Sequence, residues 1–301
     1  TDSGMPGATI RITSESSGSL TINVTGGKQT AGVCLGYNQP NSSLTIDGSA
    51  RVTVNATCNA TNYDGFAIGL YAGSKGTVTI GGSAAYAANC KAPNCTNSLL
   101  RPTNGIYSGG TVDVNTQGDI TMDVSDAANS GYGMRAMTQC TVERVRKMQI
   151  TCRPDGKDIM NRAITAGNFA INSGKDARGM QKTIYRYGTP YTVSVSSGVC
   201  SADGIALSKM QYLANDTVTL LPSTLSVPFE RWESSDVSIS SNRFTMPSKN
   251  VAVTALFDPF EEMPSFRLTV LGEEGRISYR LCEDIDDSDL YARLVPANST
   301  A

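Results

Sequence analysis

A short alternating motif recurs every 34 residues through the first part of the chain. Its four copies are Thr9–Ile12, Leu44–Asp47, Val78–Gly81 and Val112–Asn115. An apolar residue recurs in the copies at intervals of 34: Ile10, Leu44, Val78 and Val112. Alternation of apolar and polar residues indicates a strand with one buried face, and a fixed period of this length indicates a repeat architecture.

Each interval between copies contains two further alternating runs, so that one unit provides three strands and three turns. Leu20–Val24 and Phe66–Leu70 are examples of the second and third runs. A single unit cannot enclose its own apolar face, whereas stacked units bury a continuous column of Val, Ile and Leu. The sequence therefore predicts an all-β fold in which residues 1–188 form a parallel β-helix of about five coils with three strands each.

The main alternative for an all-β chain is a sandwich, whose strands follow one another without a longer period. The constant 34-residue spacing argues against it. Later units, which start near Val142 and Phe169, shorten to about 30 and 27 residues. The changes in length fall in joints such as Arg153–Lys157, and a stacked repeat tolerates insertions there. We therefore expect the late units to continue the stack.

The rhythm of the repeat resembles a known class of surface protein. Three runs carry it: Leu44-Thr-Ile-Asp-Gly48, Val52-Thr-Val-Asn-Ala56 and Gly65-Phe-Ala-Ile-Gly69. They resemble gut-bacterial and clostridial surface proteins with right-handed β-helix domains of the carbohydrate-binding type, over roughly residues 8–174. The resemblance implies that the β-helix is right-handed. It also implies a bacterial protein that is secreted or held at the cell surface.

The pattern changes from Tyr191 onward. Its motifs are Tyr191–Val195, Asn215–Leu220, Phe229–Trp232, Phe244–Pro247 and Val251–Phe257. In this order they resemble the divergent internalin-type B repeat, which implies a small β-grasp-like spacer or interaction module over residues 189–258. Trp232, the single tryptophan of the chain, is expected to lie in its core. Residues 259–301 form an acidic C-terminal β extension or a partial further repeat.

The residue inventory argues against catalysis. The chain has no histidine, which excludes Ser-His and Cys-His nucleophilic systems and histidine-bound metals. Asp123 with Asp126, and Asp155 with Asp158, are the closest carboxylate pairs of the repeat region, but turns and solvated strand faces explain them. We expect no enzyme activity, and a polysaccharide lyase acting on acidic glycans is the alternative.

The late units concentrate positive charge. Residues 135–186 contain 11 basic and 4 acidic side chains, so an outer face of this part would attract anionic ligands. If guanidinium groups stack in register, they can follow an acidic glycan. The predicted carbohydrate-binding residues are Arg135, Arg144, Arg146, Arg162, Tyr63, Tyr71 and Tyr107. A solvated basic face, or a face that docks the acidic tail, is the other interpretation.

Two smaller sites are open hypotheses. Calcium is the one cofactor considered, with oxygen ligands from Asp284, Asp286 and Asp289, although the glycine and closing glutamate of an EF-hand loop are missing. Of the eight cysteines, Cys90 and Cys95 are close enough in sequence for a bridge, and a bridge or two thiols are equally consistent with the sequence.

The partner class follows from these observations. We expect a polysaccharide or host glycan, acidic in character, bound by a monomer that does not insert into a membrane, because no run approaches the roughly 20 apolar residues of a spanning helix. Nucleic acid is a poor candidate because aromatic residues are sparse and the net charge is −2. The leading function is non-catalytic carbohydrate binding or adhesion, and the third alternative is a structural stalk or spacer.

Overall fold

A computed structural model describes residues 7–36, 40–61, 65–95, 103–128, 131–164, 168–224 and 228–258, together with two short strands at 277–278 and 295–296. Every regular element in these ranges is a β-strand, so the fold is all-β as predicted. Across the same ranges, no helix has the length and apolar character needed to cross a bilayer.

The first sheet collects seven strands, and all of its strand pairs are parallel. They are β1 (Thr9–Ser14), β3 (Gln29–Leu35), β4 (Ser43–Gly48), β6 (Phe66–Ile80), β8 (Asn104–Asn115), β10 (Tyr132–Arg144) and β12 (Lys157–Ile164). The order is β1-β4-β6-β8-β10-β12, and β3 pairs with the first half of β6. Parallel pairing agrees with the repeat and not with a sandwich, whose sheets are antiparallel.

The second sheet also has seven strands, in the order β13-β14-β11-β9-β7-β5-β2. They are β2 (Ser19–Gly26), β5 (Arg51–Cys58), β7 (Ala85–Lys91), β9 (Asp119–Asp123), β11 (Lys147–Cys152), β13 (Phe169–Lys175) and β14 (Gln181–Tyr187). The pairs from β2 to β11 are parallel. The inner faces of both sheets contribute to one hydrophobic core.

The register of the sheets reproduces the period of the sequence. Ile10 pairs with Leu44, Leu44 with Val78, and Val78 with Val112. Leu44, Val78 and Val112 have no solvent exposure. The predicted apolar column therefore exists, and the 34-residue spacing is the length of chain needed to return to the neighbouring strand.

The prediction that the unit starting at Phe169 continues the parallel stack is wrong. β13 and β14 form an antiparallel hairpin, and β14 pairs antiparallel with β11. The turn between them explains the reversal, because the Asp176 carboxylate accepts hydrogen bonds from the backbone N–H groups of Arg178 and Met180 at 2.8 and 3.0 Å. Gly179 completes the turn with a φ of 76°, which favours glycine.

Two four-stranded sheets follow. The first has the strand order β18-β15-β22-β20, and the second has the order β17-β16-β19-β21. All strand pairs in these two sheets are antiparallel except β15 with β22, which is parallel. Their strands are β15 (Tyr191–Ser196), β16 (Gly198–Ala202), β17 (Ile205–Leu207), β18 (Lys209–Tyr212), β19 (Thr217–Pro222), β20 (Phe229–Glu233), β21 (Arg243–Thr245) and β22 (Val251–Phe257). A short pair, β23 (Ile277–Ser278) and β24 (Val295–Pro296), lies in the tail.

These later strands have a core of their own. It extends from Val193 to Val253 and is separate from the core of the two large sheets, which ends at Tyr185. Trp232 is half-buried and packs against this second core, and its Nε1 donates a hydrogen bond to Asn242 Oδ1 at 2.9 Å. The expected packing role of the tryptophan is therefore consistent with the structure.

The hairpin of β13 and β14 connects the two parts. The Asn172 side chain donates to the Gln211 carbonyl at 2.7 Å and accepts from the Gln211 N–H at 2.8 Å. The Arg186 guanidinium forms a two-point ion pair with Asp216, with an Nη2 to Oδ1 distance of 2.7 Å. The hairpin strands β13 and β14, which the sequence predicted to form a last repeat unit, therefore attach the later strands to the large sheets.

Candidate functional site

Three of the predicted binding residues lie side by side on the first sheet. Tyr71 pairs with Tyr107, and Tyr107 pairs with Arg135, in three neighbouring parallel strands. Each lies between two buried residues of its strand, so alternation places all three on the face away from the core. We call this set, Tyr71, Tyr107 and Arg135, the tyrosine–arginine ladder.

The spacing of the ladder follows from the strand spacing. In-register residues of adjacent strands are about 4.8 Å apart, and the rings of Tyr71 and Tyr107 have centroids 5.3 Å apart with planes 14° from parallel. The Arg135 guanidinium carbon lies 5.7 Å from the centre of the Tyr107 ring and 5.5 Å from that of Tyr132. Cation–π attraction at these distances holds the guanidinium over the rings.

The charge of Arg135 is not neutralised within the described residues. No carboxylate there forms an ion pair with Arg135, and its Nε is buried without a hydrogen-bond acceptor. A buried donor without an acceptor costs roughly 1–3 kcal/mol. A ligand oxygen cannot reach this Nε while it is buried, but Arg135 is half-buried and has no ion-pair partner among the described residues, so its positive charge can attract an anion from outside the chain.

A cavity adjoins one end of the ladder. It has a volume of about 290 Å³ and is lined by Tyr71, Phe66, Cys34 and residues of β2 and β3. Thr30 also lines it, and the buried Thr30 Oγ1 has no hydrogen-bond partner among the described residues. Aromatic rings beside a polar hydroxyl form a lining that suits the apolar face and hydroxyl groups of a sugar.

The remaining predicted arginines do not join the ladder. Arg144 lies over the ring of Tyr187 at 5.7 Å, and Arg146 forms an ion pair with Asp119 at 2.6 Å. Arg162 binds the Tyr185 hydroxyl at 2.9 Å and lies 3.8 Å from the Asp158 carboxylate. These three side chains occupy different register positions from Arg135 and each has a protein partner, so the four arginines do not form the in-register guanidinium stack that the sequence left open.

Sequence reasoning missed a second polar surface, on the outer face of the second sheet. A cavity of about 550 Å³ lies there, bounded on one side by Arg178 and Met180 of the hairpin turn. Four polar residues, Asn23, Asn55, Asn89 and Asp123, are paired in register along neighbouring strands of this sheet. The last three of them line the cavity. Asn55 Nδ2 donates to Asn23 Oδ1 at 2.8 Å. The sequence did contain a signal for this surface, because these polar residues recur at nearly the same 34-residue period as the apolar residues of the repeat.

The carboxylates of this second surface are held by basic partners. Asp123 lies 3.4 Å from the Arg178 guanidinium, and Asp126 lies 3.8 Å from the Lys91 ammonium group. Asp123 Oδ1 also accepts hydrogen bonds from the Ser125 N–H and hydroxyl. These contacts agree with a structural role for the Asp123 and Asp126 pair.

Of the two states that the sequence left open for Cys90 and Cys95, a bridge or two thiols, the structure contains the thiols. Cys90 and Cys95 are both thiols and are not bridged to each other. The alternation of β7 places Cys90 in the core, where burial raises the pKa of its thiol to about 12. Cys95 instead faces Cys58, with the two sulfurs 3.6 Å apart.

Four predicted site residues lie outside the described residues. They are Tyr63, Asp284, Asp286 and Asp289. Within the described ranges, no group of three or more Cys, Asp or Glu side chains is placed to hold a metal ion. The calcium hypothesis therefore stays a prediction about the tail.

The chain was compared with known proteins. No protein-family model, curated protein or solved structure matches it. The resemblances drawn from its motifs stay predictions, and any function is argued from the geometry of the chain itself.

Proposed function

We propose that this protein is a non-catalytic carbohydrate-binding or adhesion protein whose binding face is the tyrosine–arginine ladder. The observation that carries the proposal is Arg135, a guanidinium aligned with two stacked tyrosines and without an ion-pair partner among the described residues. Aromatic rings pack against the C–H faces of sugars, and a guanidinium binds carboxylate or sulfate oxygens. The expected ligand is an acidic polysaccharide or host glycan.

The proposal includes the finer fold. We take the two large parallel sheets as walls of a right-handed β-helix, because β6, β8 and β10 each run on through two successive strand positions, and the second sheet supplies the third. A solenoid presents equivalent residues at a regular spacing along its length, which suits a repeating polymer. The later strands would form an internalin-type spacer, and the setting would be the outside of a bacterial cell.

Two observations favour binding over catalysis. The carboxylates nearest to a cavity, Asp123 and Asp126, are in ion pairs with basic side chains. The chain has no histidine to act as a general base. A polysaccharide lyase stays the alternative, and a stalk without a ligand of its own is the third candidate.

The test is a binding titration of the intact chain with polygalacturonate, a sulfated glycan and a neutral glucan, at low and physiological salt. We expect binding to the acidic polymers that weakens with salt. Replacing Arg135 with Met should lower the affinity about tenfold or more, since a hydrogen bond to a charged group contributes roughly 1.5–3 kcal/mol. Tyr107→Ala should weaken binding to acidic polymers as well.

Arg146→Met is the matched control. It removes one exposed arginine outside the ladder, so it should leave the affinity unchanged. Equal losses in the Arg135 and Arg146 variants would show non-specific charge attraction and contradict the ladder. Release of unsaturated uronate products, followed by ultraviolet absorbance, would favour the lyase, and failure to bind every polymer would favour the stalk.

A further inference from the structure

Two cysteines from neighbouring repeat units meet at one corner of the large sheets. Cys58 is the last residue of β5, and Cys95 follows β7 after Ala92, which forms a bridge with Ala127. The two sulfurs are 3.6 Å apart, and both residues are buried. The sequence separates these cysteines by 37 positions, so only the stacking of the units brings them together.

The two sulfurs pack closely against a glycine, which has no side chain to occupy their place. Gly65 packs against them, and a Cβ at that position would lie 2.2 Å from Cys95 Sγ and 3.0 Å from Cys58 Sγ. Both thiols also lie within hydrogen-bond distance of backbone carbonyls, since Cys58 can donate to Gly27 O at 3.2 Å and Cys95 to Ala60 O at 3.4 Å.

We propose that Cys58 and Cys95 are the site of a disulfide bond in the oxidised protein. During folding, before the two residues are buried, the Sγ of one cysteine, as thiolate, attacks a disulfide oxidant of the glutathione or oxidoreductase type and forms a mixed disulfide. The second thiolate then displaces the remaining thiol. The two cysteines lose two protons and two electrons in total, and the oxidant is reduced to two thiols.

The other described cysteines are poorer candidates. Cys90, Cys140 and Cys152 are inward residues of their strands, and within the described residues none of them contacts another sulfur. Cys34 is exposed at the ladder, and Cys200 belongs to the second core. A disulfide requires an S–S distance near 2.05 Å. The sulfurs of Cys58 and Cys95 are already 3.6 Å apart, so only a small movement of the two side chains is needed to form the bond.

The bond would tie the end of one repeat unit to the next. The closed loop contains β6 and β7, which lie in the middle of the two sheets. A cross-link of this length restricts the unfolded chain and should raise the melting temperature by about 5 °C or more in the oxidised protein. The pairing also agrees with a protein exposed to an oxidising environment.

Peptide mapping of the full chain tests the proposal. The protein is unfolded and refolded in a glutathione redox buffer, alkylated, and digested with trypsin without reduction. Cleavage after Lys75 and Lys91 puts Cys58, Cys90 and Cys95 on three different peptides. We expect one cross-linked species that joins the peptide of Cys58 to the peptide of Cys95. The peptide of Cys90 should not be cross-linked.

Variants make the outcome decisive. Cys58→Ser and Cys95→Ser should each abolish the cross-linked peptide and the rise in melting temperature on oxidation, whereas Cys90→Ser should keep both. Alkylation of both Cys58 and Cys95 after refolding in the redox buffer would overturn the proposal. A cross-link between Cys90 and Cys95 would overturn it as well.

Discussion

The rings of Tyr71 and Tyr107 are stacked 5.3 Å apart and 14° from parallel, because the two residues are direct partners in neighbouring parallel strands. Arg135, the partner of Tyr107 on its other side, lies over the same ring. Tyr107 therefore contacts both other members of the ladder. The arrangement joins a stabilising contact and a proposed binding face in one set of side chains.

Tyr107→Ala should lower the free energy of unfolding by about 2 kcal/mol, since it removes the central ring, and aromatic pairs contribute roughly 0.5–1.5 kcal/mol beyond their buried area. Tyr107→Phe should retain most of the stability because the ring remains. Urea unfolding of the two variants measures the difference. Equal stability of Tyr107→Ala and the wild type would show that the stack contributes nothing.

Leu44 tests the apolar column. It is fully buried between Ile10 and Val78, so Leu44→Ala should lower the free energy of unfolding by about 2–5 kcal/mol. The neighbouring Thr45 faces the other way and is half-buried, and Thr45→Ala should cost less than about 1 kcal/mol. Denaturant unfolding of both variants checks the alternation, and similar losses would contradict it.

The buried thiol of Cys140 should make stability fall at alkaline pH. Burial raises the pKa of Cys140 to about 12, whereas an unfolded cysteine titrates near about 8.5. The folded pKa is the higher one, so this contribution is complete below about pH 8.5 and is lost as the pH rises toward about 12. Cys90 and Cys152, with pKa values also raised to about 12 by burial, act in the same direction.

Urea midpoints at about pH 7 and about pH 10 measure this effect. Replacing Cys140 with Ala should reduce the difference between the two pH values by about 1–2 kcal/mol, because one thiol that ionises only in the unfolded chain is removed. The absolute stability of the variant is not the readout, since the smaller side chain also leaves a cavity. An identical pH difference in the variant and the wild type would refute the assignment.

The ion pair of Arg186 with Asp216 should contribute to the attachment of the later strands. Asp216 also accepts the Leu213 N–H at 2.8 Å, so Asp216→Ala leaves two donors without their acceptor. We expect this variant to lower the free energy of unfolding by about 1–3 kcal/mol, measured by calorimetry. Asp126→Ala, which breaks the exposed pair with Lys91, is the control and should change it by less than about 1 kcal/mol.

Much of the fold could be predicted from local pattern. Strand positions follow from alternation, which depends on the residue and its two neighbours, and the parallel register follows from the repeat because equivalent residues occupy equivalent places. The pairing of Tyr71 with Tyr107 is accessible in the same way, since each lies two residues after a glycine in its third strand. The line of Asn55 and Asn89 was equally accessible from the period of the repeat, but uncharged residues gave it no electrostatic signature.

The failures have a common physical cause. The number of arginines left a guanidinium stack and a solvated basic face both open, and contacts between distant segments, such as Arg146 with Asp119, decide which charges are neutralised. The extra unit at Phe169 was inferred from its strand pattern, and strand pattern does not distinguish a parallel return from a hairpin. The tight turn at Asp176, stabilised by hydrogen bonds to its carboxylate, is what makes this segment a hairpin.

The sequence by itself determined the all-β class, the repeat period and the buried column from Ile10 to Val112, because periodic alternation is a local property of the chain. Only the tertiary structure decided that Cys95 meets Cys58 and not Cys90, and that Arg135 alone among the four predicted arginines combines ring contacts with an acceptor-free Nε. These choices depend on distances across the stack, which are set by how far each connection between strands runs before the next strand begins.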